Sequence, residues 1–126
     1  MQIGSTNASA LSAFGVDMLV RANNIANVNT PGFQAQNLSL MTGNQDQGVM
    51  VGLISTDKSP GPPVPGLVAI NQEGGEALAP GFLEGSNTDI AREFVHMTGT
   101  QHAYAANALA VRTVDDMTGI LLDMKI

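Results

Sequence analysis

The sequence predicts a mainly α protein: two long terminal helices packing as an antiparallel, coiled-coil-like pair, with a short Gly/Pro-rich middle containing a small β element. Three observations point there. Five of the six prolines lie between Pro60 and Pro80, and none follows Ser86. Apolar residues recur at spacings of three and four in both arms. Capping residues and a turn pair mark where the periodic runs begin and end. The implied division is an N-terminal helical arm with its turn, 1–33, an extended middle, 34–85, and a C-terminal helical arm, 86–126, in one structural domain.

The C-terminal arm opens with Ser86-Asn87-Thr88-Asp89, which supplies capping oxygens and a carboxylate at the positive end of the helix dipole. Ile90, Phe94, Met97, Gln101, Tyr104, Ala108 and Val111 then follow at alternating spacings of four and three, the pattern of a coiled-coil face. The stripe slips after Val111 and continues through Val114, Met117, Leu121 and Met124. A helix of roughly 35 residues is implied, about 50 Å long at 1.5 Å per residue. A rod of that length cannot bury its stripe inside a compact domain of 126 residues. It needs partners.

The N-terminal arm carries a shorter stripe at Leu11, Phe14, Met18, Ala22 and Ile25. It is expected to end near Asn29, because Pro31 biases Thr30 away from helical angles. Pro31-Gly32 suits the central positions of a type II turn, with Gly32 providing the positive φ. Asn23, Asn24, Asn27 and Asn29 crowd the last turns, and asparagine prefers caps and turns to helix interiors.

The middle reads as short extended pieces. Val49–Ile54 and Leu67–Ile70 are candidate strands, and Gly74-Gly75 is placed to turn a weak hairpin into Glu76–Ala79. The run Pro60-Gly61-Pro62-Pro63-Val64-Pro65 predicts a stiff, polyproline-like link.

Composition bounds the function. Hydrophobic residues make up 44% of the chain and charged ones 13%, about half the usual charged share of ~25%. Such a surface packs against other copies at low desolvation cost. With 11 acidic and 5 basic residues the net charge is −6, so no basic stripe exists for nucleic acid or an anionic membrane. Cysteine is absent, which removes disulfides and thiolate metal sites. The first residues lack a secretory signal's basic and apolar regions, and no stretch approaches the ~20 apolar residues of a membrane span.

Catalytic chemistry finds no support. Glu93 and His96 have Glu-x-x-His spacing, the ligand pattern of di-iron bundles, but the N-terminal arm offers only Asp17 as a further carboxylate. The expected state of Glu93 and His96 is a solvent-exposed polar pair. His96 and His102 lie about 240° apart around a helix and do not share a ligand. Ser55 and Ser59 have no nearby histidine, no phosphate-binding glycine loop is present, and Asp115-Asp116 reads as a solvated face. No enzyme, cofactor, metal or small-molecule substrate is expected.

Ala22-Asn23-Asn24-Ile25-Ala26-Asn27-Val28-Asn29-Thr30-Pro31-Gly32-Phe33 resembles the N-terminal signature of the bacterial flagellar rod and hook proteins. Ser86-Asn87-Thr88-Asp89-Ile90-Ala91-Arg92-Glu93-Phe94, Gln101-His102-Ala103-Tyr104-Ala105-Ala106-Asn107 and Thr113–Leu122 are similar to the family's C-terminal segment. The short middle is most like that of a proximal-rod subunit. The resemblance implies a structural subunit of the basal-body rod in the periplasm, exported through the flagellar export apparatus without a cleaved signal. It would self-assemble with its own copies and other axial proteins into a helical tube that transmits torque. Expected assembly contacts are Leu11, Phe14, Met18 and Ile25 on one arm, and Ile90, Phe94, Met97, Tyr104, Val111 and Leu121 on the other. Asn24, Asn27, Pro31, Gly32 and Phe33 would set how the chain leaves the first helix. The alternative is a soluble helical adaptor or export-related chaperone that grips a partner through the same arms.

Overall fold

The computed structural model describes residues 2–44, 47–72 and 75–124. Its elements run α1 (Gln2–Ala26), β1 (Gln36–Thr42), β2 (Val49–Thr56), β3 (Pro63–Gln72), β4 (Gly75–Glu84) and α2 (Ile90–Asp123). The protein is mainly α, with two long terminal helices in extensive contact and a middle of β-strands.

The helices are antiparallel, since Arg21 meets Glu93 while Asp17 meets Thr100. Asp89 caps α2 as its sequence implies: Oδ1 accepts from the Ala91 and Arg92 amides at 3.0 and 3.2 Å. The helix then runs 34 residues, close to the expected length, because no proline interrupts it and its two glycines are tolerated. Helix α1 stops at Ala26, three residues before the expected end, and Asn27–Asn29 form turns.

Thr30-Pro31-Gly32-Phe33 closes as a type II turn. The Phe33 amide donates to the Thr30 carbonyl at 3.2 Å, and Gly32 has φ 72°, a conformation that disfavours any side chain. The chain is thereby redirected from the end of α1 into β1.

The middle is more regular than its sequence suggests: two antiparallel hairpins, β1–β2 and β3–β4, each a separate two-stranded sheet. Strand β1 has no counterpart among the expected strands, although Leu38, Leu40 and Thr42 alternate with Ser39 and Met41. Val49–Ile54 lies in β2, and Leu67–Ile70 in β3. Gly75 already pairs with Gln72, and Gly74 of the expected turn lies outside the described residues.

The polyproline-like link requires correction. Only Pro60 to Pro62 precede the strand, and Pro63 and Pro65 are paired with Glu84 and Phe82. The hydrogen-bond phase explains how proline enters a strand. The Gly85 amide donates to the Pro62 carbonyl at 2.8 Å, so Pro62 and Gly85 bond to one another and the next pair, Pro63 and Glu84, does not. Pro63 and Pro65 therefore turn their donorless nitrogens away from β4, as Pro80 does from β3. A two-stranded sheet has only edge strands, where proline is permitted.

The β1–β2 hairpin packs on α1, and the Val49 amide donates to Ser9 Oγ at 3.2 Å. The apolar core is small: Ala10, Ala13, Val20 and Ala35 are the buried hydrophobic residues among those described. At about 0.8 kcal/mol per buried methyl or methylene, three alanines and a valine stabilise little. Polar contacts must specify how the elements meet.

Candidate functional site

Helix α1 carries two charged residues, Asp17 and Arg21, and both are buried. This inverts the usual amphipathic order. Arg21 Nε donates to Asp17 Oδ1 at 3.2 Å, one turn back along the helix. Its Nη1 reaches Glu93 Oε2 on α2 and Asn37 Oδ1 on β1, each at 3.3 Å. Thr100 Oγ1 donates to Asp17 Oδ2 at 2.5 Å. One guanidinium thus ties three elements together, its fork serving two carboxylates and an amide. Among the described residues no buried side-chain nitrogen or oxygen lacks a partner.

Glu93 is therefore not the solvated half of a polar pair with His96. It is 3% exposed and turned onto Arg21, whereas His96 faces outward. Burial of the carboxylate is tolerable because Arg21 meets it. Among the described residues no group of three or more acidic or histidine side chains is placed to hold a metal ion.

Two asparagines lock the junction between helices and hairpins. Asn24 is fully buried, at 0% exposure. Its Nδ2 donates to the Gln36 carbonyl at 2.7 Å, and its Oδ1 accepts from the Gln36 amide at 2.8 Å. The carboxamide takes the place of a neighbouring strand's peptide group at the edge of β1. Asn87 acts at the open end of the same hairpin. The Asp57 amide donates to the Ala35 carbonyl at 2.8 Å, but the return bond is bridged by a side chain. Ala35 N donates to Asn87 Oδ1 at 2.7 Å, and Asn87 Nδ2 donates to the Asp57 carbonyl at 2.9 Å and the Ser59 carbonyl at 2.8 Å. The Asn87 amide also reaches the Phe33 carbonyl, and Gly32 N the Glu84 carbonyl. The start of α2, the end of α1 and the roots of both hairpins are joined within one hydrogen-bonded knot.

Beside the knot lies an open polar hollow lined by Asp57, Ser59, Asn87, Asp89 and Arg92. The Ser59 hydroxyl and its amide, the latter at 2.9 Å from Asp57 Oδ1, hold the Asp57 carboxyl below the ordinary carboxylate value.

The turn residues lie around this junction. Asn27 hydrogen-bonds back to Asn23 and accepts from Thr30 Oγ1 at 3.1 Å. Pro31 and Gly32 are exposed and Phe33 half-buried. Of the apolar residues assigned to assembly, Leu11, Phe14, Met18, Ile25, Met97 and Val111 are half-buried. Ile90, Phe94, Tyr104 and Leu121 are 45%, 53%, 38% and 67% exposed. The face that α2 turns inward is Glu93, Met97, Thr100, Ala103, Asn107, Ala110, Val111 and Val114, so Met97, Val111 and Val114 of the apolar stripe meet α1 alongside small and polar residues. From Asp115 to Met124 every residue is exposed, Ile120, Leu121, Leu122 and Met124 by 62–76%. That end of α2 extends past its contact with α1.

Arg21, Glu93 and Asn87 were absent from the residues assigned a site by sequence. A usable signal exists for Arg21: the only charges of α1, Asp17 and Arg21, stand at i and i+4, and a lone pair on an otherwise uncharged helix marks a built contact. Asn87 had no such signal, since a Ser-Asn-Thr-Asp run reads equally well as a cap.

A family model described as flagella basal body rod protein matches residues 5–34, the stretch holding Asp17, Arg21, Asn24 and the turn. A second, the C-terminal region of the flagellar basal body rod FlgEFG proteins, matches residues 79–124, the stretch holding Asn87, Glu93 and α2. Both arms are thus similar to flagellar basal-body rod proteins. The flagellar hook protein FlgE of Caulobacter vibrioides is 42% identical over 59 residues, 47% of this chain and 10% of the hook protein. The flagellar basal-body rod protein FlgG of Borreliella burgdorferi is 45% identical over 53 residues, 42% of this chain and 20% of the rod protein. The chain thus matches a small part of these axial proteins.

Proposed function

We propose that this chain is a structural subunit of the flagellar axial structure, most like a short proximal-rod component, which assembles through its terminal helices into a torque-transmitting helical tube. One observation carries the reading: homologous arms present an apolar line outward, along α2 and past its contact with α1. The outward face of α1 is uncharged, because Asp17 and Arg21 are both buried, and ten residues at the end of α2, about 15 Å of helix, have nothing to pack on. In a repeated head-to-tail contact each copy would cover that overhang on the next, giving an open filament. The periplasmic rod, the export apparatus and the other axial proteins enter as the setting and partners that follow from this role. The coiled-coil character of the helix contact belongs to the assembled state. The exposed Ile90, Phe94, Tyr104 and Leu121 would be its contact residues, and Asn24, Asn27, Pro31, Gly32 and Phe33 would hold the exit from α1.

The test is sedimentation velocity over a hundredfold concentration range, with hydrogen exchange measured at both ends of it. A subunit of this kind grows without a fixed stoichiometry, and residues 115–124 pass from fast to slow exchange as it does. A discrete closed oligomer or a stable monomer at all concentrations would refute the proposal and favour an adaptor that grips a different partner.

A further inference from the structure

We propose that the β3–β4 hairpin is a second self-association surface, its outward face packing on the apolar helical line of another copy; this rests on the assembly reading above. Side chains alternate strictly along the hairpin. Pro65, Leu67, Ala69, Leu78, Pro80 and Phe82 point one way and are all exposed, Leu67 by 59%, Leu78 by 69% and Phe82 by 74%. The opposite face carries Val64, Val68 and Leu83 with Gly66 and Gly81, and is half-buried by its own neighbours. A Cβ on Gly66 would collide with Leu83, and one on Gly81 with Val68, so the large side chains fold over the glycines. Neither helix packs substantially on this hairpin. An isolated two-stranded hairpin with a hydrophobic face is marginal in water, and this one has apolar residues on both faces.

Three features narrow the occupant. The two strands hold no charged residue apart from Glu76 and Glu84, which lie near the two ends of the sheet. Copies of a chain with net charge −6 repel one another elsewhere, and the middle of this face, between Pro65 and Leu78 and away from Glu84 at its end, lets them meet without opposing like charges. Pro63 and Pro65 interrupt the donors along one edge and Pro80 along the other, so strand addition is disfavoured and the partner must lie on the face. Finally, the chain itself displays a complementary element, the exposed apolar residues of α2, among them Phe94, Tyr104, Leu109 and Leu121. A helix laid on a flat apolar sheet face is a stable layer arrangement, and within one copy neither helix covers this hairpin substantially.

The absence of cysteine makes a direct test possible. Phe82→Cys combined with Tyr104→Cys or Leu121→Cys is oxidised in the full chain, and intermolecular bonding is compared with Phe82→Cys paired with Asp116→Cys, which lies more than about 100° around the same helix from both. Leu78→Glu with Phe82→Glu is sedimented alongside the wild type, with circular dichroism confirming that the helices persist. The proposal expects cross-linking at the apolar positions at least fivefold above the acidic one, and assembly requiring at least tenfold more protein in the double-glutamate variant. Assembly unchanged by the glutamates, with cross-links no stronger than the control, overturns the hairpin contact and leaves the helical assembly standing. A wild-type chain that never assembles overturns both.

Discussion

Replacement of Arg21 by methionine tests how the helices are held together. The guanidinium meets Asp17 and Glu93 at 3.2 and 3.3 Å, and the side chains of the two acids are 11% and 3% exposed. Removing the cation leaves two carboxylates facing each other out of water. Breaking a buried ion pair in this way costs about 3–5 kcal/mol. Asp17 keeps its hydrogen bond from Thr100, so the lower end applies, about 3 kcal/mol. Small domains have total stabilities of about 5–15 kcal/mol, and this one buries few large apolar side chains. At ~3–6 °C per kcal/mol for a chain of this size, Arg21→Met is expected to lower the melting temperature by about 10–15 °C. Circular dichroism at 222 nm, on dilute protein to avoid assembly, reads it directly. The combined variant Asp17→Leu, Arg21→Met, Glu93→Met removes all three charges together and should recover most of the loss. A single Arg21→Met change within ~0.5 kcal/mol of wild type would place the pair among weak surface contacts and refute the claim that it holds the helices in register.

The remaining predictions concern the junction. Asn24→Ala leaves the Gln36 amide and carbonyl without their partner at a buried site, at about 1–3 kcal/mol for each unsatisfied group; hydrogen exchange at Gln36 should accelerate, and unchanged protection there would show that the carboxamide is dispensable. The Asp57 carboxyl, held below its ordinary value of 3.8 chiefly by the Ser59 hydroxyl and then by the Ser59 amide, should titrate upward in Ser59→Ala, followed by carboxyl carbon NMR. Because the folded state favours the ionised form, its stabilising contribution is present above the ordinary carboxylate range and is lost as the pH falls through the folded-state value. A Ser59→Ala chain with an unmoved Asp57 titration would contradict that assignment.

Much of the architecture was legible without coordinates. Distribution of proline, a cap at Asp89, unbroken periodicity over the last arm and Pro31-Gly32 before an aromatic residue determine two helices, their approximate ends and the turn, because each is a local property of the backbone. The same residues carried the family resemblance that the matches at residues 5–34 and 79–124 support. The proline run reads as a link in the sequence and forms a strand in the fold for one reason. Whether Pro63 and Pro65 can enter a ladder depends on which way their nitrogens point, and only the pairing register with β4 decides that.

Tertiary structure decided the rest. Periodicity identifies an apolar stripe on α2 but not which of its residues meet α1: Met97, Val111 and Val114 turn inward beside small and polar residues, whereas Phe94 and Leu121 stay exposed. Asn24 and Asn87 are ordinary cap and turn residues in the sequence; only the approach of Gln36, Ala35 and Asp57 makes them substitutes for missing strand partners. Glu93 reads as solvated until Arg21 is brought to it from 72 residues away along the chain. A short-range pattern reports what a segment can form, whereas burial of a charge or an amide is settled by groups distant in sequence that supply its partners.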